Sequence, residues 1–232
     1  MSPPIELDDK AAVVTGAGRG LGRAYAVALA AAGAGVVVND LDGDAAAETV
    51  GLITSAGGRI IVVGSPAGQH GNFGQTNYAA AKAGIVSFAR TWAMELARAN
   101  VTVNAIVPTA WTQMTATIPI YAPLVEAVES GEPLPREVRQ AHAIGMPEDS
   151  ASLVVFLASG AAAEITGQAI GIGGDKLSLY SHPTEVAAAF HESGWTPELI
   201  AENWSTTMAP MTQPYGIQLP PLNLEAKAEA TS

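Results

Sequence analysis

The sequence contains no cysteine, which excludes disulfide bonds, thiolate nucleophiles and cysteine-ligated metal sites. Basic residues are also scarce, because 11 Lys and Arg stand against 22 Asp and Glu and leave a net charge of -11. Such a chain has no basic surface for nucleic acid or for an anionic membrane. We therefore expect neither as a partner, and a small molecule as the substrate.

Long apolar runs and metal-ligand patterns are missing too. No apolar run approaches the roughly 20 residues that span a bilayer, and residues 1–10 lack the basic start and apolar core of a signal peptide. The histidines His70, His142, His182 and His191 lack the close spacing of metal ligands, which predicts no metal site. The length of 232 residues with 48% apolar content suits one large α/β domain, and we expect a cytoplasmic protein.

Three side chains suited to proton transfer follow one apolar run. Ser65 ends the run at residues 59–64 and would stand at the carboxyl end of a strand, where open α/β sheets bind ligands. Tyr78 and Lys82 are four positions apart, so on one helix they share a face, and an ammonium beside a phenol favours the phenolate. Tyr78 would then exchange a proton with an alcohol or carbonyl oxygen that Ser65 also holds. The alternative is a packing tyrosine and a solvated lysine.

A glycine-rich turn lies near the amino terminus. An apolar strand at residues 11–14 precedes it and an Ala-rich helix follows it to about residue 32, in the order that dinucleotide binding requires. Glycines let the backbone approach a pyrophosphate, and the helix presents free N–H groups to that anion. The alternative is a turn without a ligand. The candidate nucleotide-binding residues here are Gly16, Arg19, Gly20, Leu21 and Gly22.

Asp40 is the candidate that selects the nucleotide. It follows a second strand at residues 35–39, about 20 residues beyond the turn, where an acid binds the adenine ribose hydroxyls. Its carboxylate would repel the 2′-phosphate of NADP, which favours NAD over NADP. The alternative is that Asp40 and Asp42 belong to a polar turn before a helix that begins near residue 44.

Residues 59–84 read RIIVVGSPAGQHGNFGQTNYAAAKAG and resemble the catalytic segment of the short-chain dehydrogenase/reductase family, and residues 15–22 match its TGxxxGxG spacing. Within that family, GNFGQTNYAAAKAG is most similar to the hydroxyacyl-CoA dehydrogenase part of the multifunctional β-oxidation enzymes. The resemblance implies a Rossmann-type doubly wound parallel sheet and a homo-oligomer. It assigns the acid/base role to Tyr78, binding of the reacting oxygen to Ser65, and binding of the nicotinamide ribose to Lys82.

The family resemblance also contains a feature that favours NADP, namely Arg19. In this family a basic residue just before the second motif glycine often accompanies NADP. Leu41, which follows Asp40, supplies no basic partner for a phosphate. We therefore expect NAD as the cofactor.

The chain departs from this family near residues 57–59, where it lacks a segment that family members have. One helix at about residues 44–56 leads straight into residues 59–64, where a family member has two further β/α units of at least about 30 residues each. An open gap in the sheet would leave backbone N–H and C=O groups unpaired, at about 1 to 3 kcal/mol each. For a continuous chain, the sequence therefore predicts that residues 59–64 pair in parallel with residues 11–14, in a sheet of about five strands, and that activity is low. The alternative is that the native enzyme has further residues between 58 and 59, a complete sheet and full activity.

Downstream the resemblance resumes. The sequence predicts a helix at residues 77–98 and a strand at residues 101–107, followed by the loop PTAWTQMT. Within this loop the resemblance makes Thr112 the candidate for the nicotinamide carboxamide contact, with a plain polar loop residue as the alternative. The Pro-rich residues 118–146 are interpreted as a substrate loop.

Two regions are predicted. A dinucleotide-binding and catalytic domain at residues 1–175 is completed by a helix at 148–159 and a strand at 168–172, and a carboxyl-terminal extension and tail follow at 176–232, helical near 184–192. The expected reaction is the NAD-linked interconversion of a secondary alcohol and a ketone, with a 3-hydroxyacyl-CoA or a sterol-like alcohol suggested by the resemblance alone. The alternative is a non-catalytic or impaired nucleotide-binding relative.

Overall fold

The computed structural model describes residues 7, 10–15, 21, 25, 28, 29, 34–39 and 59–222. Short apolar runs form the strands in this part of the chain, and Val and Ile dominate those at its centre, as suits strands covered on both faces. The strands are β1 (Ala11–Thr15), β2 (Gly35–Asn39), β3 (Arg59–Val63), β4 (Thr102–Pro108), β5 (Ala169–Gly173) and β6 (Lys176–Tyr180).

Helices connect the strands. Leu21, Tyr25, Ala28 and Leu29 are helical. The α-helices with described bounds are α1 (Pro66–His70), α2 (Thr76–Glu95), α3 (Gln113–Ala116), α4 (Val125–Glu129), α5 (Arg136–Ala141), α6 (Pro147–Ala158) and α7 (Pro197–Asn203). The other turns are 3₁₀ at Ala97–Ala99, Pro119–Leu124, Gly160–Ala162 and Ala209–Met211 and π at Trp204–Met208. Among the helices of the described residues, none has the length and apolar content to cross a bilayer.

The sheet has the order β2-β1-β3-β4-β5-β6, with the first five strands parallel. The predicted pairing of residues 59–64 with residues 11–14 is confirmed, because Ala12 lies beside Arg59 and Val14 beside Ile61 in parallel register. The fold is thus a Rossmann-type α/β sheet in which β3 lies directly beside β1. The helix predicted at residues 44–56 falls outside the described residues.

The sheet is one strand wider than predicted. β6 pairs antiparallel with β5, and Gly173 lies opposite Lys176, so only Gly174 and Asp175 form the connecting turn. Gly174 has a φ of 52°, a conformation that glycine adopts without strain. Lys176, predicted to begin the carboxyl-terminal extension, thus lies in a strand of the sheet, and this hairpin was not predicted. The division of the chain at residue 175 stays a prediction.

Side chains pack on both faces of the sheet. On one face Tyr25 and Leu29 form a buried cluster with residues of α6, including Leu153 and Leu157. On the other face α2 buries Val86, Ala89 and Ala93 against the strands. A third cluster lies among the segments that follow β4, and we call it the loop cluster; its buried members are Trp111, Tyr121, Leu134, Val138 and Ile144.

The helix predicted near residues 184–192 is wrong. The structure has no helix between residues 181 and 196, and none of those side chains is buried, so nothing offsets the cost of starting a helix there. The helix forms later, at α7. Thr196 caps it by accepting a hydrogen bond from the Leu199 N–H at 3.3 Å, and Pro197 occupies the first turn, where a missing N–H is harmless.

Candidate active site

Ser65 lies two residues beyond the carboxyl end of β3, as predicted. It is buried, and its backbone is extended at the start of α1. The Ser65 hydroxyl oxygen accepts a hydrogen bond from the Ala67 N–H at 3.2 Å, which fixes the side chain as a helix cap. Because this bond uses only an oxygen lone pair, the hydroxyl proton remains available for donation. Ser65 can therefore donate to a substrate oxygen.

Tyr78 and Lys82 lie one turn apart on α2, which confirms that they share a helix face. The Lys82 ammonium nitrogen is 5.7 Å from the centre of the Tyr78 ring. Lys82 also donates a hydrogen bond to the carbonyl oxygen of Val63 at 2.9 Å, and thereby ties α2 to the last residue of β3. Partial burial lowers the pKa of Lys82 from its usual value, because removal from water disfavours the charged form.

Tyr78 presents its ring to the solvent side of this arrangement. The residue is 37% exposed, and none of the hydrogen bonds among the described residues involves its hydroxyl. A phenol near a positive charge can exchange a proton with a bound molecule. The Lys82–Val63 hydrogen bond and Ser65 both lie at the carboxyl end of β3, the edge of the sheet where such folds bind ligands, and Tyr78 is one helical turn from Lys82.

The described part of the nucleotide segment consists of a strand, β1, and helical residues that begin with Leu21. Thr15 at the end of β1 lies beside Asn39 at the end of β2. Leu21, six residues beyond Thr15, is helical and packs against the first buried cluster. The remaining predicted nucleotide-binding residues fall outside the described residues, and they are Gly16, Arg19, Gly20, Gly22 and Asp40.

Thr112 lies in the loop after β4, and β4 neighbours β3 in the sheet. It caps α3: its hydroxyl accepts from the Thr115 N–H at 3.3 Å and lies 3.2 Å from the Thr115 hydroxyl. Its polar atom is thus used within its own loop. The proposed contact with a nicotinamide carboxamide stays a prediction.

The direct pairing of β3 with β1 changes what surrounds these residues. Neighbouring strands are about 4.8 Å apart, so without an intervening strand Ser65 lies one strand spacing from the end of β1. Two strand spacings would separate them if another strand lay between. The candidate site is therefore compressed toward the end of β1.

Gly68 is a residue that the sequence analysis did not single out, although it sets the position of α2. A methyl group on Gly68 would come within 2.7 Å of the Ala83 backbone nitrogen and 2.9 Å of the Lys82 Cβ. Only a residue without a Cβ lets α1 approach α2 this closely. A glycine shortly after the strand end could have suggested a close approach of two segments. The sequence does not show that the segment approached is α2.

We expect Gly68→Ala to lower the free energy of unfolding by about 1 to 3 kcal/mol, because the backbone of α2 must move. Gly84→Ala is the matched control: a Cβ there meets nothing within 4 Å, and alanine in a helix interior is more stable than glycine by about 0.5 to 1 kcal/mol. Urea denaturation of both variants checks this. Equal midpoints for the two variants would contradict the packing described for Gly68.

No group of three metal-binding side chains occurs in the part of the chain that the structure describes.

Comparison with known families identifies one match. Residues 45–174 match the family described as enoyl-(acyl carrier protein) reductase, and this range is more than half of the chain and contains all three residues of the candidate site.

Curated relatives are similar over part of their length. The chain is 44% identical over 124 residues to 3-oxoacyl-(acyl-carrier-protein) reductase FabG of Thermotoga maritima, which covers 53% of this chain and 47% of that relative. It is 42% identical over 147 residues to hydroxyacyl-CoA dehydrogenase ChsB1 of Mycobacterium tuberculosis, with 62% and 42% covered. Acetoacetyl-CoA reductase of an Acinetobacter species is 35% identical over 133 residues, with 56% and 48% covered. The chain spans about half the length of these relatives.

Solved structures share the fold. A short chain dehydrogenase from Mycobacterium avium superposes with a TM-score of 0.66 at 23% identity, covering 91% of this chain and 98% of that one. A Beutenbergia cavernae structure described as an NAD(P) dependent gluconate 5-dehydrogenase with bound NADP gives a TM-score of 0.58 at 24% identity, covering 74% and 98%. At these identities the likeness concerns the fold alone.

Proposed function

Because the chain belongs to the short-chain dehydrogenase/reductase family, we propose that it is an oxidoreductase that interconverts a secondary alcohol and a ketone with a nicotinamide dinucleotide. The observation that carries this proposal is the Lys82 ammonium, which is 5.7 Å from the Tyr78 ring and bonded to the end of the strand that leads to Ser65. A thioester-linked 3-hydroxyacyl or 3-oxoacyl group is the proposed substrate. Support for this class comes from the names of the similar 3-oxoacyl-(acyl-carrier-protein) and acetoacetyl-CoA reductases.

The residues present fit a dinucleotide. A strand end at Thr15 leads within six residues to a helical residue, Leu21, and a neighbouring strand ends beside it at Asn39. In this arrangement the turn and helix start would hold the pyrophosphate, and Asp40, directly after β2, would hold the adenine ribose. When bound, the nucleotide supplies or accepts the hydride.

The chain's own residues handle the proton. In the direction of reduction, the Tyr78 hydroxyl donates its proton to the substrate carbonyl oxygen, and the Ser65 hydroxyl donates a hydrogen bond to the same oxygen. The Lys82 ammonium stabilises the negative charge that then forms on the Tyr78 oxygen. In the direction of oxidation, the phenolate of Tyr78 accepts the alcohol proton.

A second candidate is an impaired relative that binds nucleotide without efficient turnover. The direct pairing of β3 with β1 favours it, because the compressed site departs from the spacing that an intervening strand would give. Incubation with NADH and acetoacetyl-CoA, followed by chromatographic detection of the 3-hydroxy product, separates the two. Product above a protein-free blank supports the enzyme, and nucleotide binding without product supports the impaired relative.

We expect NAD to bind at least tenfold tighter than NADP, a difference of about 1.4 kcal/mol, because the Asp40 carboxylate repels a 2′-phosphate. Calorimetric titration of both nucleotides measures the ratio. Asp40→Ala should remove the preference, whereas Asp42→Ala, the matched control two residues further along, should keep it. Equal affinity in the unsubstituted chain would mean that Arg19 outweighs Asp40.

Assembly and location are further proposals. The family resemblance supports a homo-oligomer in the cytoplasm, and analytical ultracentrifugation tests the first of these.

A further inference from the structure

The carboxyl-terminal strap, which we define as residues 212–222, is attached to the rest of the chain at two places. At one, the Gly216 N–H donates a hydrogen bond to the His70 carbonyl oxygen at 2.7 Å. At the other, the His142 ring nitrogen Nε2 lies 2.7 Å from the carbonyl oxygen of Pro220. Two attachments four residues apart fix the path of the chain between them.

The burial and hydrogen bonds of His142 fix its ring in the orientation that contacts the strap. His142 is 3% exposed, and both of its ring nitrogens have partners. A backbone carbonyl only accepts, so Nε2 carries the proton that it donates to Pro220. The other nitrogen, Nδ1, lies 2.7 Å from the Tyr121 hydroxyl, and in the neutral ring it accepts the Tyr121 proton. Tyr121 thereby orients the ring of His142 toward the strap.

The loop cluster supports the same attachment. Tyr121 is 2% exposed and packs edge-on against both Trp111 and His142, with ring centres 6.1 and 5.7 Å apart. Leu222, at the end of the strap, packs against this cluster as well. The strap is thus held by one backbone hydrogen bond, one histidine and one apolar side chain.

The strap joins the two sides of the candidate site. His70 ends α1, the helix that Ser65 caps after β3. Trp111 precedes Thr112 in the loop that follows β4, and β4 is the neighbour of β3. Four residues extend no further than about 15 Å, so the strap runs from α1 to the loop cluster within that distance.

We propose that the strap forms a wall on the substrate side of the site, and that His142 is a positioning residue that holds this wall in place and so limits the size of the acyl group that is accepted. This inference rests on the proposed function for its substrate. Substrates that end inside the wall are accepted unchanged, and longer ones collide with it.

The attachment is tested without activity by hydrogen exchange at the Gly216 amide, which donates to His70. In His142→Ala, peptides that contain Gly216 should exchange at least about tenfold faster, because the strap opens locally. His142→Gln, whose side-chain amide can donate to Pro220, should restore slow exchange. His182→Ala is the matched control, since His182 Nε2 lies 3.0 Å from the carbonyl oxygen of Gly167, a residue outside the strap. Unchanged exchange in His142→Ala would overturn the attachment.

Selection by size is tested with two thioesters. The ratio of kcat/KM for acetoacetyl-CoA over 3-oxodecanoyl-CoA should fall at least about fivefold in His142→Ala, and equally in a chain that ends at Met211, which keeps His142 and the buried members of the loop cluster. The shortened chain decides the matter if His142→Ala does not fold. If amide exchange at Gly216 becomes faster while the ratio of the two kcat/KM values stays unchanged, the proposal that the strap limits substrate size is wrong. Absence of turnover in the unsubstituted chain would contradict the proposed function and the selection together, and the exchange result would still decide the attachment.

Discussion

Tyr78→Phe is expected to lower turnover by a factor of about 10² to 10⁴ while leaving the affinity for NAD nearly unchanged. Phenylalanine keeps the ring that lies 5.7 Å from the Lys82 ammonium and removes only the hydroxyl. In the proposed mechanism Tyr78 acts on the reacting oxygen and not on the adenine half of the nucleotide, so the loss would report proton transfer. The rate of NADH oxidation with acetoacetyl-CoA and a calorimetric NAD titration measure the two quantities.

Tyr180→Phe serves as the matched control for this substitution. Tyr180 ends β6 at the edge of the sheet, so removal of its hydroxyl should leave turnover within about twofold. If Tyr78→Phe retains more than roughly a tenth of the activity, a group other than Tyr78 transfers the proton.

The unsubstituted chain should itself turn over at least about a hundredfold more slowly than the similar acetoacetyl-CoA reductase of Acinetobacter assayed beside it. The pairing of β3 with β1 places Ser65 about 4.8 Å, one strand spacing, nearer to the end of β1 than an intervening strand would allow. A misplacement of about 1 Å already costs about a hundredfold in rate. The kcat values of the two enzymes are compared at saturating acetoacetyl-CoA, each enzyme with whichever of NADH and NADPH it uses faster.

The matched variant for this prediction carries the relative's intervening segment between Gly58 and Arg59. Restoring the intervening strand should raise kcat if misplacement limits the reaction, provided that circular dichroism and thermal unfolding confirm a folded chimera. An unmodified chain as fast as the relative would contradict the claim that the compressed sheet impairs catalysis.

The strands and the central site could be predicted because each depends on local sequence. Short apolar runs marked β1, β2 and β3, and the four-residue spacing put Tyr78 and Lys82 on one face of α2. The pairing of β3 with β1 followed from the cost of unpaired backbone groups in an open gap. That argument needed only the length of the connection.

The features that escaped prediction depend on contacts between distant segments. The carbonyl oxygen of Val63 accepts from Lys82 across 19 positions, and His142 reaches Pro220 across 78. No periodicity or spacing encodes such pairs. Residues 184–192 have the composition of a helix but bury no side chain, so local propensity alone misled the prediction there.

The proposed chemistry is tested most directly by tracing the hydride. NADH deuterated at both C4 positions is incubated with acetoacetyl-CoA and the unsubstituted chain, and the product is analysed by mass spectrometry. We predict 3-hydroxybutyryl-CoA with one deuterium at C3, and no such product above a protein-free blank with Tyr78→Phe. Product without deuterium, or equal labelled product from both chains, would contradict the assignment of this site as a nicotinamide-dependent oxidoreductase centre that uses Tyr78.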